Sequence, residues 1–306
     1  MRRRFAPALA CCLTVVACFT GCDKGEPLSV SQQLDLGWEK LRVGNIDSSR
    51  LHFESAITTA TSNQERAKAK FAMATSLSLP QITPDVERAR KLLGEAIVLD
   101  ADPGTETAPW AALLLARLGD LRDIDPDAVD ILVNPDARDK YRDVMTRWPT
   151  HPAAQEARAY LVTSLVAART PDEATEAIRL VDEFVPVNQN SPWSATLLGL
   201  KSRALRTLGR SEDRLATEIQ SLELARKIDA AGTTEYAGNI WGIGIIAEFE
   251  AGDLAAARKY YNLLITEYPA DQRVFNAEQA LKRIDALEAT LKQEIALENT
   301  AKENQP

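Results

Sequence analysis

The chain has 306 residues, 45% of them hydrophobic, and sets 36 Lys and Arg against 44 Asp and Glu for a formal charge of −8. That length suffices for one extended domain or two compact ones, each with its own core. The acidic balance argues against nucleic acid as a partner, which needs a basic footprint, and against a polybasic membrane patch.

All four cysteines fall within the first 22 residues. Arg2-Arg3-Arg4 and the apolar stretch Phe5 to Phe19 have the form of a secretory signal, too short for a membrane span of about 20 residues. The run Phe19-Thr20-Gly21-Cys22 resembles the lipobox of bacterial lipoproteins, which implies acylation of Cys22. An ordinary signal cleaved elsewhere is the other reading. The expectation is a signal peptide over 1–21 and a lipidated tether over 22–29. The remaining chain would have no disulfide, a charge near −11, and membrane contact only through its lipid. Asp23 beside the cysteine resembles an inner-membrane retention signal of enteric-type bacteria, so a periplasm-facing anchor on the inner membrane is expected ahead of the outer.

From Val30 onward the pattern is of short amphipathic helices, with no sustained period-two alternation. Ser29-Val-Ser-Gln32 and Thr170-Pro-Asp-Glu173 fit capping boxes. Thr83-Pro84, Asn134-Pro135, Thr170-Pro171 and Ser191-Pro192 each place a capping side chain before proline at the first helical position. Ala137-x3-Tyr141, Ala174-x3-Ile178 and Ala257-x3-Tyr261 are each followed by a proline 12 residues after the alanine. Gly252 and Trp241 precede Ala257 by five and sixteen residues, and Leu36-Gly37, Gly44 and Phe53 stand in similar register around Ser49.

This register resembles the tetratricopeptide repeat, in which a small residue lets two helices approach and an aromatic fills the groove between them. Ser49, Ala89, Ala137, Ala174, Arg214 and Ala257 mark the small position, with spacings of 40, 48, 37, 40 and 43. The expectation is an all-α tetratricopeptide-like solenoid, a right-handed superhelix of about six helix pairs over 30–272. Its fifth pair matches weakly, because Arg214 replaces alanine. An insertion is expected over Gly119 to Val133. Leu281, Ile284, Leu287, Leu291 and Ile295 share one face of a final helix over 273–297, read as a solenoid cap ahead of an oligomerisation helix. Residues 298–306 read as a disordered tail.

No constellation for catalysis emerges. His52 and His151 lack partners at metal-ligand spacing, so no metal, cofactor or catalytic residue is expected. Gly238-x3-Gly242-x-Gly244 follows no strand and reads as helix packing rather than a phosphate loop. Acidic pairs such as Asp125 with Asp127, or Glu248 with Glu250, read as solvated helix faces. Trp241 reads as core and Trp148 as packing against the next pair. Trp38 and Trp110 lie on first helices, which line the concave face of such a solenoid, and are either partner anchors or buried between repeats. Arg203 and Arg206 point into the same groove in this register.

The phrases Ala137-Arg-Asp-Lys-Tyr141…Trp148-Pro149 and Ala257-Arg-Lys-Tyr-Tyr261…Tyr268-Pro269 look like repeats of envelope lipoproteins of the barrel-assembly (BamD) and Tol-Pal-associated types. The resemblance implies a non-enzymatic adaptor that holds other envelope proteins or peptide segments; oligomeric state stays open. The alternatives are a helical lipoprotein with a carboxylate-based hydrolytic site, and a solute-binding or sensor lipoprotein.

Overall fold

The protein is described by a computed structural model covering residues 27–79, 85–102, 104–120, 135–229 and 235–303. The lipobox with Cys22, the Thr83-Pro84 helix start, the cap Asn134 and the Asp125 and Asp127 pair lie outside the described residues. Among those described there are thirteen α-helices and no strand. Twelve form six consecutive pairs: α1 (Val30–Arg42) with α2 (Ile46–Thr59), α3 (Asn63–Ser78) with α4 (Val86–Leu99), α5 (Thr107–Asp120) with α6 (Pro135–Arg147), α7 (Pro152–Ala168) with α8 (Pro171–Phe184), α9 (Pro192–Thr207) with α10 (Ser211–Ile228), and α11 (Ala237–Ile246) with α12 (Leu254–Glu267). The last helix is α13 (Val274–Glu303).

Every helix packs on the next, and the first helices α1, α3, α5, α7 and α9 also touch in sequence. That double contact makes a tetratricopeptide-like α-solenoid, whose core grows by stacking rather than around one centre. The small positions fall on second helices as the register requires. Ser49, Ala89, Ala137, Ala174 and Ala257 are buried, and Phe53, Leu93, Tyr141 and Tyr261, four residues on, are sealed with them. Between the paired helices the chain turns on a left-handed residue five positions before the small one. Gly44, Gly209 and Gly252 have φ of 77°, 67° and 69°, and Arg169 takes the same turn at 56°.

Local capping explains the boundaries. The Ser29–Gln32 box closes in both directions, and Thr170 and Ser191 accept from backbone N–H groups of the helices they open. Asp85 caps α4 and a Ser62–Glu65 box opens α3, two further starts of the same chemistry. His151 is likewise a cap: its Nδ1 accepts from Ala153 N–H at 3.1 Å.

Two expected boundaries need correcting. Helix α5 continues to Asp120, so Gly119 is helical rather than the start of an insertion, and 121–134 lie outside the described residues. Helix α13 continues past 297 to Glu303, because Glu298-Asn-Thr-Ala-Lys-Glu303 contains neither glycine nor proline to stop it. Capping is confined to its first half. Ala277, Ala280 and Ile284 are buried on the preceding pair, whereas Leu287, Leu291 and Ile295 are 45%, 42% and 58% exposed.

Candidate interaction face on the first helices

The face is set by how closely each first helix approaches its partner. Gly37 lies under the Phe53 ring and Gly244 under the Tyr261 ring, both without room for a side chain. Ser202 holds the same place in the fifth pair, fully buried, with its hydroxyl donating to Glu218 at 2.5 Å. Gly37 and Ser202 stand sixteen residues before their partners, and Gly244 seventeen. The additional residue is the π-helical turn Ala247–Ala251, which lets one position bulge without breaking the helix.

With those residues pointing inward, the ones that follow turn toward the open side. Trp38 follows Gly37 and Arg203 follows Ser202, so the two expected contacts occupy equivalent places at separate pairs. Arg206 lies one turn further on the face of α9 that also carries Thr196 and Gly199. Both arginines are exposed and, among the described residues, neither forms an ion pair.

Trp38 and Trp110 are half-buried, which meets both readings of them part way. Trp38 sets an edge on Phe53, with centroids 5.2 Å apart, and shows its remaining surface outward. Trp110 sets an edge on the His151 ring at 5.6 Å, so the cap of α7 positions an aromatic of α5. Burial lowers the His151 pKa and outweighs the opposing charge of Glu106, which favours the neutral ring whose Nδ1 can accept. On α5, Leu114 and Arg117 follow Trp110 at helical spacing. The Arg117 guanidinium lies 4.7 Å over the Tyr160 ring of α7 and 3.8 Å from Glu156. Tyr160 in turn stacks on Tyr141 with centroids 5.8 Å apart. Tyr141 is fully buried beneath, so Trp110, Arg117 and Tyr160 are the ring and cation groups that reach the surface of α5 and α7, chemistry suited to holding an extended segment by stacking and charge.

The remaining candidates are absorbed by packing. Glu248 accepts from the Tyr261 hydroxyl at 2.8 Å and from two Arg283 nitrogens at 2.6 and 2.8 Å, and Glu250 pairs with Arg214. Burial and the hydrogen bond to Glu248 push the Tyr261 phenol well above its ordinary value. Gly238 and Gly244 face Arg273 and Tyr261, as helix packing predicts, while Gly242 faces open space. Trp241 packs against Tyr261 at 5.3 Å and Trp148 is buried in the central core. His52 meets Gln33 across α1 and α2 at 2.8 Å.

One recurring contact has a sequence signal that the repeat register alone does not bring out. In four pairs the small residue is followed by arginine: Arg50, Arg90, Arg138 and Arg258. Arg50 donates to the Ser76 carbonyl at 3.0 Å, Arg90 to Leu118 at 3.1 Å and Arg138 to Ser164 at 3.1 Å. Each carbonyl lies in the last turns of the following first helix, where the helix dipole favours a cation. Arg258 pairs with Asp285 and Glu288 of α13 at 2.7 and 3.2 Å. The small-Arg dipeptide was the available signal.

The chain has the fold of an all-α helical-repeat solenoid, tetratricopeptide-like in its pairing. No family model matches it, and no curated protein is similar enough to count as a relative. Among solved structures it is similar to the nearly identical TPR-like repeats of a Podosopora anserina chain named after kinesin light chain. A singly substituted form of that chain is 15% identical with a TM-score of 0.48, covering 65% of this chain and 95% of that one. The crystal structure without the substitution is 16% identical with a TM-score of 0.46, covering 67% and 97%.

Proposed function

We propose that this chain is a non-enzymatic scaffold of the bacterial cell envelope, anchored by lipid at Cys22 and holding extended segments of partner proteins along its first-helix face. The observation that carries the reading is the strip on α5, α7 and α9, where Trp110, Arg117, Tyr160, Arg203 and Arg206 reach the surface over a tightly packed core. Arg203 and Arg206 concentrate positive charge in a chain of net charge −8, which favours an acidic segment. The lipobox-like Phe19-Thr-Gly-Cys22 supports the anchor, and the Trp148-Pro149 and Tyr268-Pro269 repeat endings support kinship with barrel-assembly and Tol-Pal-associated lipoproteins.

The test is photocrosslinking in intact cells. A photoreactive residue at Thr163 or Arg203, both exposed on first helices, should trap partner proteins. The same residue at Arg179, exposed on a second helix, should trap few. Equal crosslinking from all three positions would reject the face as the binding surface. Cys22→Ser should in parallel move the protein out of the membrane fraction; wild-type recovery there, with the signal removed, would reject the anchor.

A further inference from the structure

Away from the first-helix strip, the second pair carries a cleft of about 560 Å³ between α3 and α4. Gly94, Val98 and Leu99 form its apolar part, and Arg66, Lys70, Arg90 and Lys91 surround them with Glu95 as the single acid. Four cations against one carboxylate is the reverse of the chain's overall balance.

Gly94 leaves part of the cleft floor without a side chain. Gly94 sits in the interior of a fourteen-residue helix, where glycine is disfavoured by about 1 kcal/mol relative to alanine. A Cβ placed there would meet nothing within 4 Å, so no neighbour requires the glycine. Gly37 and Gly244 lie under rings, whereas Gly94, like Gly199 and Gly242, faces open space, and at Gly94 that space is the cleft. Val98, one turn on, is 76% exposed beside that space.

The cations divide into compensated and uncompensated. Lys70 is paired with Glu95 across the cleft, and Arg90 is held by Glu87 and the Leu118 carbonyl. Among the described residues Arg66 bonds the neutral Asn63 side chain and the Thr61 carbonyl and pairs with no carboxylate, and Lys91 is exposed without an ion pair. The Lys70–Glu95 pair places α3 and α4 in register, which sets Arg66 toward Val98 and Lys91 toward the opposite end. Two uncompensated cations therefore flank an open apolar floor.

From this geometry we infer that the α3–α4 cleft is a binding site for a small anionic amphiphile of fatty-acid chemistry, its apolar body against Gly94, Val98 and Leu99 and its carboxylate on Arg66 or Lys91. The site is independent of the first-helix face. A fluorescence titration of the full chain with anilinonaphthalenesulfonate, an apolar ring system bearing one anion, tests it. One dye per chain should bind, laurate should displace it, and the neutral dodecanol should displace it at least tenfold less well. Gly94→Met should fill the cleft and weaken dye binding at least tenfold while helicity and melting stay at wild-type level or above. Arg66→Glu with Lys91→Glu should weaken laurate binding by a similar factor and leave melting unchanged. Absence of dye binding, equal displacement by dodecanol, or undiminished binding in Gly94→Met would each overturn the assignment.

Discussion

A methyl group on Gly37 would lie 2.3 Å from Cε1 of Phe53. Gly244 stands in the same relation to Tyr261, at 2.5 Å, so the first pair and the sixth are each closed by the same kind of contact. Neither ring is free to retreat, since Phe53 and Tyr261 are fully buried. Gly37→Ala and Gly244→Ala should therefore destabilise by about 1–3 kcal/mol, the overpacking penalty exceeding the gain in helix propensity. Gly199→Ala, at a helical position with nothing within 4 Å, should instead stabilise by up to about 1 kcal/mol. Urea melts of the three variants check the signs, and a uniform effect would contradict this packing.

Arg169 is the odd member of the four left-handed turn residues. An L-residue with a Cβ costs roughly 1–2 kcal/mol in that conformation, and glycine avoids it at some entropic loss. Arg169 is exposed, so removing its side chain costs little packing. Arg169→Gly should raise stability by about 0.5–1 kcal/mol. Gly209→Ala, at φ 67°, should lower it by about 1 kcal/mol. Thermal melts of both variants measure the pair of opposite shifts.

Arg138 joins two helix pairs through three groups. Its guanidinium donates to the Ser164 hydroxyl at 2.9 Å, the Ser164 carbonyl at 3.1 Å and Glu173 at 2.8 Å, with its side chain only 12% exposed. Lysine offers one nitrogen and cannot reach all three in a fork. Arg138→Lys should cost about 1–2 kcal/mol, and Arg138→Ala about 2–3. A double-mutant cycle with Glu173→Gln, read in urea melts, should give a coupling above about 0.5 kcal/mol. Thr170 and Arg138 hold the Glu173 carboxyl below its ordinary range, so this contribution is present at neutral pH and fades as pH falls through the carboxylate range.

His151 supplies a second pH dependence. Its folded pKa lies below the ordinary value near 6.5, so the unfolded chain takes the proton first. The stability it contributes is complete above that value and is lost as pH falls toward the folded pKa. Protonation also ends acceptance from Ala153 N–H, since both ring nitrogens then donate. Unfolding free energy should decline on acidification from pH 7 to about 5.5, and His151→Asn, which caps without titrating, should remove part of that slope. Chemical denaturation across that pH range measures it; an unchanged slope would show that His151 does not titrate differently in the two states.

The repeat was legible because its constraints are local in sequence: a small residue, an aromatic four positions on, a left-handed turn five positions before. Ser49, Ala89, Ala137, Ala174 and Ala257 satisfy the constraint by size alone. The fifth pair did not read so clearly, since Arg214 and Glu218 stand where alanine and an aromatic would. Their compensation is three-dimensional. Ser202 takes the glycine's place and bonds Glu218, and Arg214 reaches Glu250 in the π-helical turn of the next pair. The open end of α13 was illegible for a related reason. One apolar stripe, from Leu281 to Ile295, serves both the covered and the exposed half of the helix. Only the reach of α12 divides the two, and Ile284 is the last residue of the stripe to be fully covered. The first-helix face was legible as a register, yet the burial of Trp38 and Trp110 depended on Phe53 and His151, one from each tryptophan's neighbouring helix.

The face itself is tested by charge. Arg203 and Arg206 are exposed, lie one turn apart on α9 and form no ion pair among the described residues, so reversing them removes no contact that holds the fold. Arg203→Glu with Arg206→Glu should leave melting within about 0.5 kcal/mol of wild type, as for other surface substitutions. Partner capture by the first-helix face should fall by about tenfold or more if the bound segment is acidic, since attraction becomes repulsion at two positions. Raising salt should weaken wild-type capture and spare the variant, because screening acts on the attraction that the variant has lost. Trp110→Ala should weaken capture through lost ring contact with little dependence on salt. Should the double charge reversal capture the same partners in the same amounts at low salt, α9 does not belong to the binding surface.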